Sequence, residues 1–211
     1  MKGSMIPLED YCRVFRTIYS VLLNENAKIQ HSCIWFSLIG AAILDEHYKL
    51  NPKVFMGVAA YMVDDSSQTV LTFAEKNGDR LVCSENGFHS WIMANDVIID
   101  FIAPLFPTMI ITPEGKSLCE PKMFQRNIET MAASPCELAV AGDYFMNPDA
   151  KLTNDLIDNF IEIPANMDLL NICSSWYRRP PSEMHQMIGI TDGRGTINDV
   201  QLQPFQISGA W

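Results

Sequence analysis

The run Cys33-Ile34-Trp35-Phe36-Ser37-Leu38-Ile39-Gly40-Ala41-Ala42-Ile43-Leu44 is apolar almost all the way round a helical wheel. A helix of that kind has no face to offer to water, so other parts of the chain must cover it on every side. It is also too short to span a bilayer, which takes about 20 apolar residues. The expectation is a buried central helix that ends near His47. Ser32 is its natural N-cap, which places Cys33 in the first turn. Ahead of it, Pro7 to about Glu25 reads as an amphipathic helix. Pro7 suits the first turn, Glu9 and Asp10 complement the positive N-terminal end, and Tyr11, Phe15, Ile18 and Leu22 share one face.

After these helices the period changes. Val54 to Val63 is rich in β-branched, aromatic and small residues and reads as a strand, followed by a turn at Asp64-Asp65-Ser66-Ser67 and a strand over Thr69 to Ala74. Asn77-Gly78 signals a hairpin leading into Arg80 to Cys83. Glu85-Asn86-Gly87 turns into a strand that starts at His89, and Asn95-Asp96 separates it from Val97 to Ile102. Five strands after two helices imply an α+β fold, with the central helix packed on a mainly antiparallel sheet. Pro104, Pro107 and Pro113 close this block. Beyond them the pattern supports helices over 122–133, 149–160 and 166–177, and strands over 139–145, 187–191 and 196–201. The last two strands are joined by a turn at Asp192-Gly193-Arg194-Gly195. All 211 residues are expected in one domain, with a core over about 7–112 and a C-terminal decoration over about 113–211.

Apolar residues make up 48% of the chain and charged residues 19%, a globular balance. The net charge of −10 argues against nucleic acid as a partner, because phosphates need a basic surface. Cys12, Cys33, Cys83, Cys119, Cys136 and Cys173 are scattered, with no C-x-x-C pair and no zinc-like spacing. They read as reduced thiols in a cytoplasmic protein without metal or cofactor, most of them buried as small hydrophobes. No secretory pattern opens the chain and no membrane partner is expected.

Only Cys33 stands apart. A helix N-terminus favours a thiolate through its positive end, a neighbouring imidazolium favours it further, and first-turn amides can stabilise a developing oxyanion. His89 and Asp100 supply the rest of such a constellation if the hairpin has one particular register. A two-residue turn at Asn95-Asp96 pairs Ala94 with Val97, Met93 with Ile98, Ile92 with Ile99 and Trp91 with Asp100. His89, Trp91 and Asp100 then share a sheet face, and the carboxylate can hold the imidazole. A slip of one residue moves Asp100 to the other face. Asp100 also interrupts the apolar run Val97-Ile98-Ile99-Asp100-Phe101-Ile102, and a buried carboxylate needs a partner.

The order of a helix-opening cysteine, a strand beginning His89-Ser90-Trp91-Ile92 and a strand Val97-Ile98-Ile99-Asp100-Phe101 resembles the transglutaminase-like branch of the papain-like superfamily. The strand Val54 to Met62 falls where that family places its first core strand, and the resemblance covers about residues 28–103. The whole chain is also similar to a bacterial or phage family placed near this superfamily. The resemblance implies a papain-like core with Cys33 as nucleophile, His89 as general base and acid, and Asp100 as the orienting carboxylate. It implies that Trp91 packs beside the site and contacts substrate. The substrate would be a peptide, a protein or a small amide, cleaved, transferred or deamidated through a thioester. The sequence departs from the family in having His31-Ser32 before the cysteine. Gln30 lies closer to Cys33 than the oxyanion glutamine of papain-like proteases lies to its cysteine, so Gln30 and Asn26 are alternative candidates for that substrate-binding group.

A binding module that keeps this fold without catalysis is the competing reading, and a structural or host-interaction protein is a third. For single residues the plainer readings are a solvated loop for His31, a surface loop pairing with carboxylates for Tyr177-Arg178-Arg179-Pro180-Pro181, and a strand-end histidine and turn cap for His89 and Asp100. Gly142-Asp143-Tyr144-Phe145-Met146-Asn147-Pro148-Asp149 is distinctive, with no mechanism attached to it.

Overall fold

The computed structural model describes residues 5–78, 80–110, 115–191 and 193–211. Pro113 and Asp192, and with them part of the expected 192–195 turn, lie outside the described residues. The chain is a mixed α+β protein with a curled antiparallel sheet and, among the described residues, five α-helices. Helix α1 (Leu8–Asn24) starts after Pro7 and buries Tyr11, Phe15, Ile18 and Leu22 on the expected face. Helix α2 (Cys33–Tyr48) follows a 3-10 turn at Ile29–His31 and ends at Lys49, whose φ of 56° is left-handed. It is the central helix, with Phe36, Ile39, Ile43 and Leu44 fully buried. Gly40 lets it close on its neighbours: a Cβ there would stand 2.4 Å from Phe101 Cδ2 and 3.1 Å from Ile92 Cδ1. Among the described residues no helix is long and apolar enough to cross a membrane.

Strand β1 (Lys53–Asp64) is the hub of the sheet. Its second half pairs with β2 (Thr69–Phe73), its first half with β5 (His89–Ala94), and its residues 57–61 with β8 (Tyr144–Pro148). Strand β6 (Val97–Asp100) pairs with β5 and then with β7 (Phe124–Asn127). Both β2 and β5 run antiparallel to β1, one after the other, so the end of β2 and the start of β5 meet opposite Ala59 and Gly57. Between them the chain leaves the sheet for residues 74–88, which contain the hairpin β3 (Glu75–Asn77) and β4 (Arg80–Val82). The expected strand at 80–83 therefore exists but joins this outlying hairpin, not the main sheet.

The β5–β6 hairpin has the two-residue turn, with Ala94 paired to Val97, Met93 to Ile98 and Ile92 to Ile99. Asn95 and Asp96 both adopt positive φ, 45° and 63°, the conformation whose twist suits a tight antiparallel hairpin.

The second half of the chain departs further from expectation. Residues 122–133 hold strand β7 and a 3-10 turn at Ile128–Thr130, not a helix. Pairing with β6 outweighs local helix preference there, and Asn127 accepts a hydrogen bond from Glu129 N that fixes the turn. The strand expected at 139–145 starts only at Tyr144, because the Asp143 carboxylate folds back onto Ala139 N and Val140 N, each at 2.9 Å. This gives the Gly142–Asp149 segment its purpose, which is to turn the chain into β8. A short helix α3 (Phe106–Met109) follows β6, and helices α4 (Ala150–Ile161) and α5 (Pro164–Trp176) and strands β9 (Met187–Thr191) and β10 (Ile197–Gln201) form as expected. Since β7 and β8 complete the main sheet, the core extends well past residue 112. Arg178 and Arg179 donate to main-chain carbonyls of Ser175, Tyr177 and His47, and Arg179 lies over the Tyr48 ring at 4.4 Å; these contacts replace the expected pairing with carboxylates.

Gly57 is the tightest point of the sheet. A Cβ there would lie 2.1 Å from Asn147 O and 2.9 Å from Pro148 Cα, both backbone atoms of β8 that cannot rotate away. Gly57→Ala is expected to destabilise the protein by about 3 kcal/mol or more, as overpacking against rigid backbone does, and a urea unfolding curve measures it. A cost below about 1 kcal/mol would show that β8 is not held against β1 as described.

Candidate active site

Three elements deliver the candidate residues. Cys33 is the first residue of α2, His89 the first of β5 and paired with Gly57, and Asp100 the last of β6 and paired with Phe124. His89 donates through Nε2 to Asp100 Oδ2 at 2.7 Å, and both side chains are buried, at 0% and 1% exposure. The register of the hairpin therefore does what the sequence pattern required.

The Asp100 carboxylate is supplied with donors on every side. Tyr61 Oη donates to Oδ2 at 2.7 Å and Ile102 N to Oδ1 at 3.1 Å. Tyr11 Oη donates to the Asp100 main-chain carbonyl. A buried charge without such partners would cost several kcal/mol. Tyr61 and Tyr11 escaped the sequence reading because both sit at ordinary core positions, on β1 and on the buried face of α1. Their one signal is that a buried tyrosine needs a partner for its hydroxyl. Burial raises the pKa of both phenols, and the neighbouring Asp100 charge adds to it, so they stay protonated donors.

Burial pushes the His89 pKa down, but the Asp100 carboxylate, as charge and as hydrogen-bond acceptor, and then the Cys33 thiol push it up, to about 9. With Nε2 committed to Asp100, the other ring nitrogen, Nδ1, is buried and makes no well-formed hydrogen bond among the described residues. Besides Asp100, the Cys33 side chain is the neighbour that raises the pKa of the ring. Phe73 stacks on the imidazole with ring centroids 4.2 Å apart and shields it from water.

Cys33, at 9% exposure, is the member that reaches the surface. It opens onto a cleft of about 580 Å³ walled by Gln30 and His31, by Leu71 to Phe73 of β2 and the following Ala74, by Glu85 to Phe88 of the excursion, and by Thr108 and Met109. The Ser32 hydroxyl donates to Lys28 O at 3.0 Å and makes no cap, so the first-turn N–H groups of α2 carry no side-chain cap. A larger cavity of about 890 Å³ lies between α5 and the β9–β10 hairpin and contains no residue of the Cys33–His89–Asp100 set; volume alone does not mark the site. Among the described residues no three of His, Cys, Asp and Glu converge as a metal site would require.

The remaining candidates divide. Gln30 and His31 are exposed on the rim of the cleft, so His31 is solvated as expected. Asn26 is exposed in a turn and does not line the cleft. Trp91 is 3% exposed, lies against Phe55 with ring centroids 6.4 Å apart, and does not line the cleft, so the expected contact with substrate is corrected to a packing role. Spacing along the chain placed Trp91 on the His89 face, but one step further along β5 carries it beneath the surface.

Residues 7–211 match the family described as "Protein of unknown function (DUF2026)". The chain belongs to this family. It is also similar to a crystal structure described as genomics APC5867, at 31% identity and a TM-score of 0.87, over 100% of this chain and 99% of that one. No curated protein matches it. This DUF2026 member therefore shares its fold with that structure over the whole chain.

The raised His89 pKa has a measurable consequence for stability. The unfolded chain gives up this proton near pH 6.5, whereas the native chain holds it until about pH 9. The stabilisation is complete below pH 6.5 and is lost as pH rises through 9. Between pH 6.5 and 8.5, urea unfolding should show a loss on the order of 2–3 kcal/mol. His89→Gln, less stable throughout, should lack that component; an identical slope in the variant would remove His89 as its source.

Proposed function

We propose that the protein is a cysteine-nucleophile hydrolase or acyl-transfer enzyme acting on amide bonds, built on a papain-like, transglutaminase-like core. The observation that carries this reading is the convergence of a helix-opening thiol on a cleft with an imidazole fixed through Nε2 by a fully bonded carboxylate. A histidine held in this way has one nitrogen oriented and one free, which is the division of labour a proton-shuttling base needs.

In the proposed reaction Cys33 is a thiolate beside the His89 imidazolium, which holds the shared proton on Nδ1. The sulfur attacks the amide carbon, a C–S bond forms and the carbonyl electron pair moves onto oxygen. The first-turn N–H groups of α2, with Gln30 at the rim, are the donors available to that oxygen. Collapse re-forms the carbonyl and breaks the C–N bond, and the departing amine takes the proton from His89. Water or a second amine, deprotonated by His89, then attacks the thioester and releases Cys33. Asp100 stabilises the imidazolium at each stage and keeps its own charge.

Alkylation by iodoacetamide, followed site by site with mass spectrometry, tests the constellation without a known substrate. Cys33 should react readily at pH 6, and His89→Ala should slow it at least about tenfold, since only a thiol sharing its proton with a base reacts well there. Equal rates in the two proteins, or no reaction at Cys33 while folded, would leave the non-catalytic binding module as the better account.

A further inference from the structure

Four consecutive residues, Leu71, Thr72, Phe73 and Ala74, line the Cys33 cleft. Side chains alternate faces along a strand, so an unbroken run of lining residues means that the edge of β2, not one of its faces, forms that wall. Strand β2 is terminal in the sheet, with β1 on one side and no strand on the other among the described residues.

The pairing identifies the backbone groups on the open side. Met62 donates to Asp143 O and accepts from Gly142 N, both at 2.9 Å, and so turns its main-chain groups away from β2. Main-chain groups alternate sides along a strand, so Tyr61 and Ala59 point toward β2, where they pair with Leu71 and Phe73. Thr72, between those two, directs its N–H and C=O outward, and among the described residues neither has a hydrogen-bond partner. Proteins commonly blunt a free edge with charge or proline, yet Thr69-Val70-Leu71-Thr72-Phe73 contains neither.

We propose that the cleft takes its substrate as an extended polypeptide, added as a strand to the outer edge of β2, with the Thr72 N–H and C=O as its docking pair. This rests on the catalytic reading of Cys33 and narrows it. The substrate is a polypeptide recognised through its main chain, and a small free amide lacks what the edge binds. Main-chain hydrogen bonds supply affinity in strand addition, and pockets for alternate side chains supply preference.

The experiment uses a mixed panel of acetylated pentapeptides ending in a chloromethyl ketone. In the labelling step the Cys33 thiolate displaces chloride: an S–C bond forms, the C–Cl bond breaks and chloride leaves, while His89 keeps its proton. The best peptides should label Cys33 at least tenfold faster than a chloromethyl ketone with no peptide. N-methylation should abolish that gain at the one peptide nitrogen that donates to the Thr72 C=O and leave it at the neighbouring nitrogens, the signature of a strand edge. Thr72→Pro, which removes an N–H that the β1–β2 ladder does not use, should lower the peptide rate about tenfold, with the iodoacetamide rate at Cys33 reporting whether the site is still formed. A peptide advantage that is absent, or that survives N-methylation at every position or is lost alike at adjacent ones, overturns edge binding while His89-dependent alkylation leaves the catalytic reading standing. Loss of His89-dependent alkylation overturns both.

Discussion

The buried pair of His89 and Asp100 is the interaction around which the rest of the protein is arranged. Removing a carboxylate and an imidazole from water is costly, and their mutual attraction offsets that cost only when every remaining lone pair is used. Here the donors come from separate parts of the chain: Tyr61 from β1, Ile102 N from the segment after β6, and Tyr11 from α1 onto the Asp100 carbonyl. Helix α1 is thus tied to the site through a hydroxyl, while Phe101, one residue beyond Asp100, packs against Tyr11 and fills the space that Gly40 leaves on α2. Truncating one partner would disturb several elements together, since each contributes to the same polar cluster.

The cleft has a simple topological origin. Strands β2 and β5 lie along β1 as one interrupted line, and the break between them is where the chain departs for residues 74–88. The last residue before the break, Phe73, stacks on the first residue after it, His89. The return of the excursion, Glu85 to Phe88, builds the wall of the cleft. Gly87 allows this closure, since a Cβ there would lie 2.6 Å from Glu75 Cγ and 2.9 Å from Glu75 N. The same interruption therefore supplies His89, its cover and one wall of the cleft.

How much of this could be read from the chain depended on whether the determining contacts were local. The register of β5 on β6 follows from a turn of two residues and from the alternation on either side of it, so the meeting of His89 with Asp100 was legible. The two N-terminal helices were legible for the same reason, because their burial pattern repeats within a few turns. Strand β7 was not, since Phe124-Gln125-Arg126-Asn127 becomes a strand only through β6, which closes a long loop. The hairpin at 75–82 could be located, but nothing in it says that it stands outside the sheet. Trp91 shares a sheet face with His89, and only the three-dimensional course of β5 shows that it goes under Phe55 and not into the cleft.

Depth sets a final constraint on any chemistry at this site. His89 is wholly enclosed and Cys33 barely exposed, so a substrate can meet the thiol but not the ring. In the proposed reaction a proton passing from the imidazole to a departing amine would leave from Nδ1, since Nε2 is held by Asp100. Enclosure has a second effect. With Phe73 stacked on the ring and Asp100 bonded at its Nε2 edge, the imidazole is enclosed, and the charge it carries is felt at the sulfur through a medium of low polarity. The features that make the pair expensive to bury are thus the ones that would make it effective once the thiol has an acceptor.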